Sequence, residues 1–241
     1  MRPYVAARHR FVAYSRRHHR PNAGPDDGSS HHVAQHVEDL AGFIRQLGVD
    51  RVHLVAVSLG GQVAARMLLR YPEMVANAVL SDALLTWPES DESKPVLEAF
   101  MNRFAPLQSA VRAGNEQGAA TALVDWITAD PDGWQKLSRD RQRLYRENAR
   151  TLLLMAHESA PPLRCSDFGQ ASSPVLVLAG AGTPTAFRLT NEELLACLPG
   201  RAQQSALPGA GHFWYSSHPE AAARRILEFF AQHPFVNKPS N

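Results

Sequence analysis

The stretch from Arg51 to Leu69, RVHLVAVSLGGQVAARMLL, constrains the fold of this chain more than any other part of it. An apolar, β-branched run ends at Ser58, two glycines follow at once, and the next residues favour a helix. A strand that turns sharply into a helix exposes the side chain at the turn and leaves backbone N–H groups free. A serine at that turn can attack a carbonyl carbon while those N–H groups hold the negative oxygen. The alternative for Ser58 is an ordinary serine that caps a helix.

Strand-like and helix-like patterns alternate on both sides of this stretch. Short links between successive elements indicate right-handed crossovers in a parallel sheet. We therefore predict the α/β class, with a mostly parallel, doubly wound sheet. The predicted strands are 11–15 (FVAYS), 52–57, 75–80, 174–179 and about 203–207, and the predicted helices are 59–71, 190–198, 218–232 and one from Ser29 or Ser30 to about Leu47.

The segment between the third and fourth predicted strands has a different pattern. From about Leu84 to Arg164 it is mostly helical, with predicted pieces at 92–112, 115–129 and 139–156. A helical segment inserted between two parts of a sheet is typical of a cap over an active site. The predicted domains are thus a core of residues 1–83 and 167–241, and a helical cap of residues 84–166.

Composition and charge exclude several classes of protein. A chain of 241 residues can bury one full core, and a formal net charge of +2 gives no sign of a nucleic-acid or membrane surface. No apolar run reaches the roughly 18 residues of a membrane helix, and the N-terminus lacks a signal-peptide core. We expect a cytoplasmic protein with a small-molecule substrate. Cys165 and Cys197 lie far apart without CxxC spacing, which argues against a disulfide or a metal site.

Four segments resemble the α/β-hydrolase fold, especially its esterases and C–C hydrolases with a helical cap. VHLVAVSLGG resembles the nucleophile elbow, PGAGHFWYSSHPE the histidine loop, PVLVLAGAGTP the strand before the usual acid loop, and FVAYSRRHHRPN the strand and loop one helix before the elbow. The resemblance covers essentially the whole chain. The match to the motif G-x-S-x-G is imperfect, because Ala56 stands in place of the first glycine. Alanine is the smallest substitution for glycine.

The resemblance implies a catalytic triad without a cofactor. Its members are Ser58 as nucleophile, His212 as general base in the small-residue loop GAGH, and an acid that orients the histidine. The family's usual acid loop holds no Asp or Glu here, and Thr183 stands about where the acid belongs. Asp82, just after the strand that follows the elbow, is the predicted substitute. The alternative for Asp82 is a solvated cap of the helical insertion.

The oxyanion hole of the resembled family needs two backbone donors. Leu59 N–H is one by position, since it directly follows the nucleophile. The other normally comes from a His-Gly loop after a strand lying between the 11–15 strand and the elbow strand, and no such pair precedes Ser58. Either Met1 is an internal methionine and further residues precede it, which we favour, or the 11–15 strand pairs directly with the elbow strand or with another chain.

The cap sets the substrate, and its sequence indicates only a broad range: an apolar ester, lactone or vinylogous ketone. An inactive fold with a binding role, and a perhydrolase or C–C bond hydrolase with the same triad, are the alternatives. A dehalogenase or epoxide hydrolase is disfavoured because its nucleophile is a carboxylate. Pocket candidates are Trp87, Phe100, Met101, Phe104, Trp126, Trp134 and Met155, with Arg103, Arg112, Arg141 and Arg146 as weak candidates for binding a carboxylate.

Overall fold

The protein is built on a parallel four-stranded sheet. A computed structural model describes residues 1–22, 31–86, 90–154 and 161–234. The strands are β1 (Val52–Val57), β2 (Val75–Ser81), β3 (Val175–Gly180) and β4 (Ala202–Leu207), in the spatial order β1-β2-β3-β4 with every pair parallel. The prediction of an α/β fold with a parallel sheet is confirmed.

Helices cover both faces of the sheet, and the alternation of side chains along β2 shows why. Ala78 and Leu80 pack into a core with α2 (Val33–Gln46) and α3 (Leu59–Arg70), whereas Val79 points to the opposite face, where α12 (Pro219–Gln232) lies. All of β2 is buried, as expected of a strand covered on both faces. The other helices of the core are α1 (Arg2–Val5), α10 (Thr185–Ala196) and α11 (Trp214–Ser217), with 3₁₀ turns at Pro72–Met74 and Cys165–Gln170.

Between β2 and β3 the described residues form helices and loops. The helices are α4 (Ser93–Asn102), α5 (Ala105–Arg112), α6 (Glu116–Thr128), α7 (Gly133–Lys136), α8 (Arg139–Glu147) and α9 (Arg150–Leu153). The predicted first piece is divided near Arg103, just before Pro106, which cannot continue a helix from the preceding turn. The bounds of the predicted cap, 84–166, stay a prediction. None of the helices in the described ranges is long and apolar enough to cross a membrane.

The predicted strand at 11–15 is wrong. These residues lie in an irregular segment, and Val12 is 42% exposed. A strand needs a neighbour for its backbone N–H and C=O groups, and none of the described strands flanks this segment. The proposed helix caps Ser29 and Ser30 lie outside the described residues. In the structure α2 begins after His32, whose Nδ1 accepts a hydrogen bond from Gln35 N–H at 3.0 Å.

The expectation that the two cysteines stay unpaired is also wrong. The structure joins Cys165 and Cys197 in a disulfide, with their Cα atoms 4.6 Å apart. Cys165 opens the 3₁₀ turn before β3, and Cys197 follows α10, which returns along the sheet after that strand. Sequence separation therefore conceals a contact that the β3–α10 crossover creates.

A tight contact between α3 and the loop after β2 predicts different effects for the two adjacent glycines of the elbow. A Cβ atom at Gly61 would lie 2.5 Å from the Cβ atom of Ala83, whereas one at Gly60 would lie 3.9 Å from that of Ala56. We expect Gly61→Ala to lower the free energy of unfolding by about 1–3 kcal/mol, because the packed backbone must shift. Gly60→Ala is the matched control, neutral or up to about 1 kcal/mol stabilising because alanine favours a helix. Urea denaturation measures both, and equal effects would contradict this packing.

Candidate active site

Ser58 lies at the sharp turn between β1 and α3, as its sequence context predicts. Its backbone has φ 55° and ψ −126°, a conformation that non-glycine residues rarely adopt. The backbone N–H of Ser58 donates to the carbonyl oxygen of Ser81 at 2.8 Å, and its carbonyl oxygen accepts from Gly61 N–H at 2.8 Å. Strained backbone of this kind persists only where the surroundings hold it, and it concentrates at functional sites.

Leu59 opens α3, so its backbone N–H is one of the donors that a helix start leaves without an intrahelical partner. No acceptor among the described residues engages it. This N–H group therefore remains available for a negative oxygen next to Ser58.

Asp82 and His212 meet in the protein interior. The Nδ1 atom of His212 lies 3.0 Å from Oδ2 of Asp82, and the two side chains are 3% and 0% exposed. Asp82 directly follows β2 at the carboxyl edge of the sheet and has φ 47°. The alternative of a solvated helix cap is therefore wrong for Asp82.

Two further residues complete the surroundings of Asp82, and the sequence indicated neither of them in this role. Thr183 Oγ1 donates to Oδ2 of Asp82 at 2.7 Å, and Asn191 Nδ2 donates to Oδ1 at 2.9 Å. Both oxygens of the carboxylate thus accept hydrogen bonds, which offsets the cost of burying the charge. Thr183 could have been found, because it occupies the usual acid position. Asn191 gave no signal, since it lies inside helix α10.

The loop that carries His212 is fixed by close packing. A Cβ atom at Gly180, the last residue of β3, would collide with the carbonyl oxygens of Ala210 and Gly211. Two residues past His212, the fully buried Trp214 donates its Nε1–H to Ser81 Oγ at 2.9 Å. The ring of Phe187 stacks on the imidazole at 4.8 Å between centroids. These contacts hold His212 against the end of β2, beside Asp82.

Ser58, Asp82 and His212 line one cavity of about 1170 Å³. Within the described part of the chain, no hydrogen bond joins Ser58 to His212. Catalytic hydrogen bonds are often long without substrate and shorten in the complex. The structure therefore brings the three predicted residues to one cavity, with Asp82 and His212 already paired.

The cavity extends along the outer edge of β1, away from Ser58. Among the described strands only β2 pairs with β1, and Val55 in its middle is 44% exposed. The irregular segment around Phe11 to Tyr14 forms part of the opposite wall. In the resembled family the second oxyanion donor normally comes from a strand at this edge, and, as predicted, the described residues form none there.

Helices α6, α8 and α9 of the predicted cap also line the cavity. Trp126 lines it, but the ring also packs against Phe100 at 4.6 Å in a buried cluster with Phe187. Phe213 and Tyr215, which follow His212 closely in the sequence, also line the cavity. Of the other candidates, Trp134 is buried and Met101 is 39% exposed, while Trp87 and Met155 lie outside the described residues.

A parallel sheet with a strained serine at a strand–helix turn, and a buried acid–histidine pair beside it, defines a hydrolase-type fold. The comparison with known families agrees: residues 1–225 match the Alpha/beta hydrolase family, and the chain belongs to it. Members of this family are generally hydrolases.

Individual relatives are distant and differ in activity. The chain is 24% identical to a fluoroacetate dehalogenase from Burkholderia over 226 residues, 86% of this chain and 73% of that protein. A bromoperoxidase structure from Bacillus anthracis superimposes with a TM-score of 0.69 at 19% identity, covering 95% of this chain and 84% of that one. A meta-cleavage product hydrolase from Pseudomonas fluorescens gives 0.68 at 17% identity, covering 97% and 84%. The structural likenesses establish the fold alone.

Proposed function

We propose that the protein is a serine hydrolase that cleaves an apolar small-molecule ester, lactone or related carbonyl compound through an acyl-enzyme at Ser58. The Oγ atom of Ser58 attacks the carbonyl carbon while Nε2 of His212 takes its proton. The carbonyl oxygen becomes an oxyanion that accepts a hydrogen bond from Leu59 N–H. Collapse of this intermediate releases the alcohol with the proton from His212. Water, activated by His212, then hydrolyses the acyl-enzyme.

The role assigned to Asp82 is to orient His212. Its carboxylate accepts from Nδ1–H, which leaves Nε2 unprotonated and facing Ser58, and it stabilises the imidazolium that forms in the transition state. The hydrogen bonds from Thr183 and Asn191 hold the carboxylate in place. We assign these two side chains a positioning role.

One observation carries this proposal: the buried hydrogen bond between His212 and Asp82 at the rim of the cavity that Ser58 lines. Burying an acid and a histidine together carries a desolvation penalty, which a purely structural role would not explain. Next to a strained serine and an unpaired helix-start N–H group, the pair can act in catalysis.

The relatives support the reaction class better than they support any substrate. The dehalogenase chemistry in one relative's name is not carried over, because it needs a carboxylate nucleophile and Ser58 stands at that position. A perhydrolase or a C–C bond hydrolase would use the same triad and is the alternative within the enzyme class. A non-catalytic binding protein is the alternative from a different class, because the described residues form no strand at the outer edge of β1 that could supply a second oxyanion donor.

Covalent labelling tests the proposed nucleophile directly. A fluorophosphonate reacts with a serine only when the base and oxyanion donors activate it. We expect one adduct per chain, located on Ser58 by peptide mass spectrometry, and none after the protein is unfolded in urea. An unlabelled folded protein would favour the binding role, whereas an adduct on another residue would place the nucleophile elsewhere. Hydrolysis of a panel of p-nitrophenyl esters with two to twelve acyl carbons then defines the acyl preference.

A further inference from the structure

The catalytic cavity has an uneven charge distribution. Among the described residues that line it, four are arginines, Arg10, Arg16, Arg51 and Arg141, whereas Asp82 is the only acid. The carboxylate of Asp82 is fully engaged by His212, Thr183 and Asn191. No free negative group of the described wall therefore balances the positive ones, and the cavity favours an anionic ligand over a cationic one.

One of these arginines lies on the cap side, close to the histidine loop. Arg141, in the first turn of α8, places its guanidinium 5.2 Å from the centre of the Tyr215 ring. Tyr215 contacts Phe213 at 6.2 Å between ring centroids, and Phe213 contacts His212 at 5.6 Å. Three successive contacts thus connect the guanidinium to the proposed base. By contrast, Arg51 donates to the carbonyl oxygen of Val75 at the far end of β1.

Arg141 has no carboxylate within ion-pair distance in the described ranges. Two other arginines that the sequence offered as weak candidates for binding a carboxylate have different surroundings. Arg146 donates to Gln117 and Gln142, and Arg112 to Ser109, and neither lines the cavity. Arg141 is therefore the one cationic side chain of α4–α9, as far as these helices are described, that faces the cavity without a compensating acid.

Two phenol groups surround this guanidinium. Tyr145, one turn along α8, and Tyr215 both line the cavity. Burial raises the pKa of both hydroxyls above the ordinary value for tyrosine. The positive charge of Arg141 opposes this and lowers both pKa values, which shows that the guanidinium lies near both hydroxyls. Both phenols thus remain protonated at neutral pH. Because the two hydroxyls also hydrogen-bond to each other, one of the two O–H groups is free to donate to a ligand. A guanidinium with neighbouring O–H donors is a donor set that suits a carboxylate.

We infer that Arg141, with Tyr145 and Tyr215, binds a carboxylate at the end of the substrate distant from the scissile bond. The inference rests on the proposed function, and it narrows the substrate class to carbonyl compounds whose acyl part ends in a carboxylate. The apolar wall formed by Phe213 and Trp126 then lies along the methylene chain between the two ends. A carboxylate fits better than a phosphate monoester, because the single positive charge of the guanidinium balances one negative charge and the neutral phenols add none.

A matched pair of esters tests this inference. Mono-p-nitrophenyl adipate and p-nitrophenyl hexanoate have the same acyl length and differ in the terminal carboxylate. We expect Arg141→Gln to lower the adipate-to-hexanoate ratio of kcat/KM at least tenfold, mainly through KM of the adipate ester, because binding distant from the reacting atoms is uniform through the reaction. Arg141→Lys should restore part of the ratio, since it returns the charge without the planar fork.

Arg143→Gln is the control. This arginine lies on the same helix, is 66% exposed and pairs with Asp140 at 3.2 Å. The adipate-to-hexanoate ratio should stay within twofold of that of the original protein. A ratio that Arg141→Gln leaves unchanged, or that both variants reduce equally, would overturn the inference.

A binding measurement separates this inference from the proposed function. Monomethyl adipate titrated into the Ser58→Ala protein should bind at least tenfold more tightly than into the Ser58→Ala, Arg141→Gln double variant, by isothermal titration calorimetry. Absence of ester hydrolysis together with this difference would overturn the hydrolase proposal and leave the carboxylate site standing. Hydrolysis of both esters, together with equal binding of monomethyl adipate by the two variants, would overturn the carboxylate site and leave the hydrolase proposal standing.

Discussion

Replacing Ser58 with alanine is expected to lower kcat for a p-nitrophenyl ester by about 10⁴-fold or more, because the acyl-enzyme route is lost and only residual electrostatic catalysis remains. The side chain loses one oxygen atom, and alanine keeps the Cβ atom that the strained backbone already accommodates. Folding should therefore be unaffected, and the thermal midpoint should stay within about 2 °C of the original. Steady-state kinetics and a thermal melt measure the two effects.

Ser216→Ala is a suitable control for that variant. Ser216 is exposed, lies four residues after His212, and donates its hydroxyl to the carbonyl oxygen of Phe213 at 3.0 Å. Its removal should change kcat less than twofold. If Ser58→Ala retained activity within tenfold of the original protein, the nucleophile would be elsewhere and the mechanism proposed here would be wrong.

Replacing Asp82 with asparagine is expected to lower kcat by about 10³–10⁴-fold, since the neutral amide can hold His212 in the wrong tautomer and cannot stabilise its charged form. KM should change little, because Asp82 does not contact the substrate. Fluorophosphonate labelling of Ser58 should slow by a similar factor. Activity within about threefold of the original protein would exclude Asp82 as the acid.

Asp167→Asn is the control for Asp82→Asn. Asp167 is the acidic residue nearest before the usual acid loop, and its exposed carboxylate accepts a hydrogen bond from Arg164 N–H in its own turn. This variant should keep kcat within twofold of that of the original protein.

The position of Thr183 permits a rescue. Adding Thr183→Asp to Asp82→Asn returns a carboxylate to the space next to residue 82, because the original Thr183 hydroxyl lies 2.7 Å from Oδ2 of Asp82. We expect the double variant to recover at least tenfold in kcat over Asp82→Asn. A double variant no more active than the single one would show that only position 82 can orient His212.

Local patterns were sufficient for the elements that carry strong periodicity. The strands around Val52–Val57 and Val175–Gly180 are runs of β-branched and aliphatic residues, and α3 begins at Leu59 as predicted. The strand prediction at 11–15 failed because its composition is strand-like while its pairing partner is not present among the described strands. Composition indicates which secondary structure a segment can adopt, whereas a strand also requires a neighbouring strand to pair its backbone hydrogen-bonding groups.

The two cysteines illustrate a related restriction. Their distance along the chain argued against pairing, yet the crossover from β3 through α10 returns Cys197 to Cys165. Such a contact depends on the path of the chain over the sheet, which spacing alone does not encode.

The sequence by itself determined the reaction class suggested for this protein: Ser58 at a strand–helix turn, His212 in a small-residue loop, and Asp82 as the one acid in a suitable place. These three assignments follow from residue types and their order along the chain, because a few adjacent residues are enough to define a turn such as the nucleophile elbow. Only the tertiary structure decided that Thr183 and Asn191 hold Asp82, that Trp214 anchors the histidine loop to Ser81, and that Arg141 faces the cavity. Those contacts join residues separated by up to 133 positions, and packing in three dimensions alone brings them together.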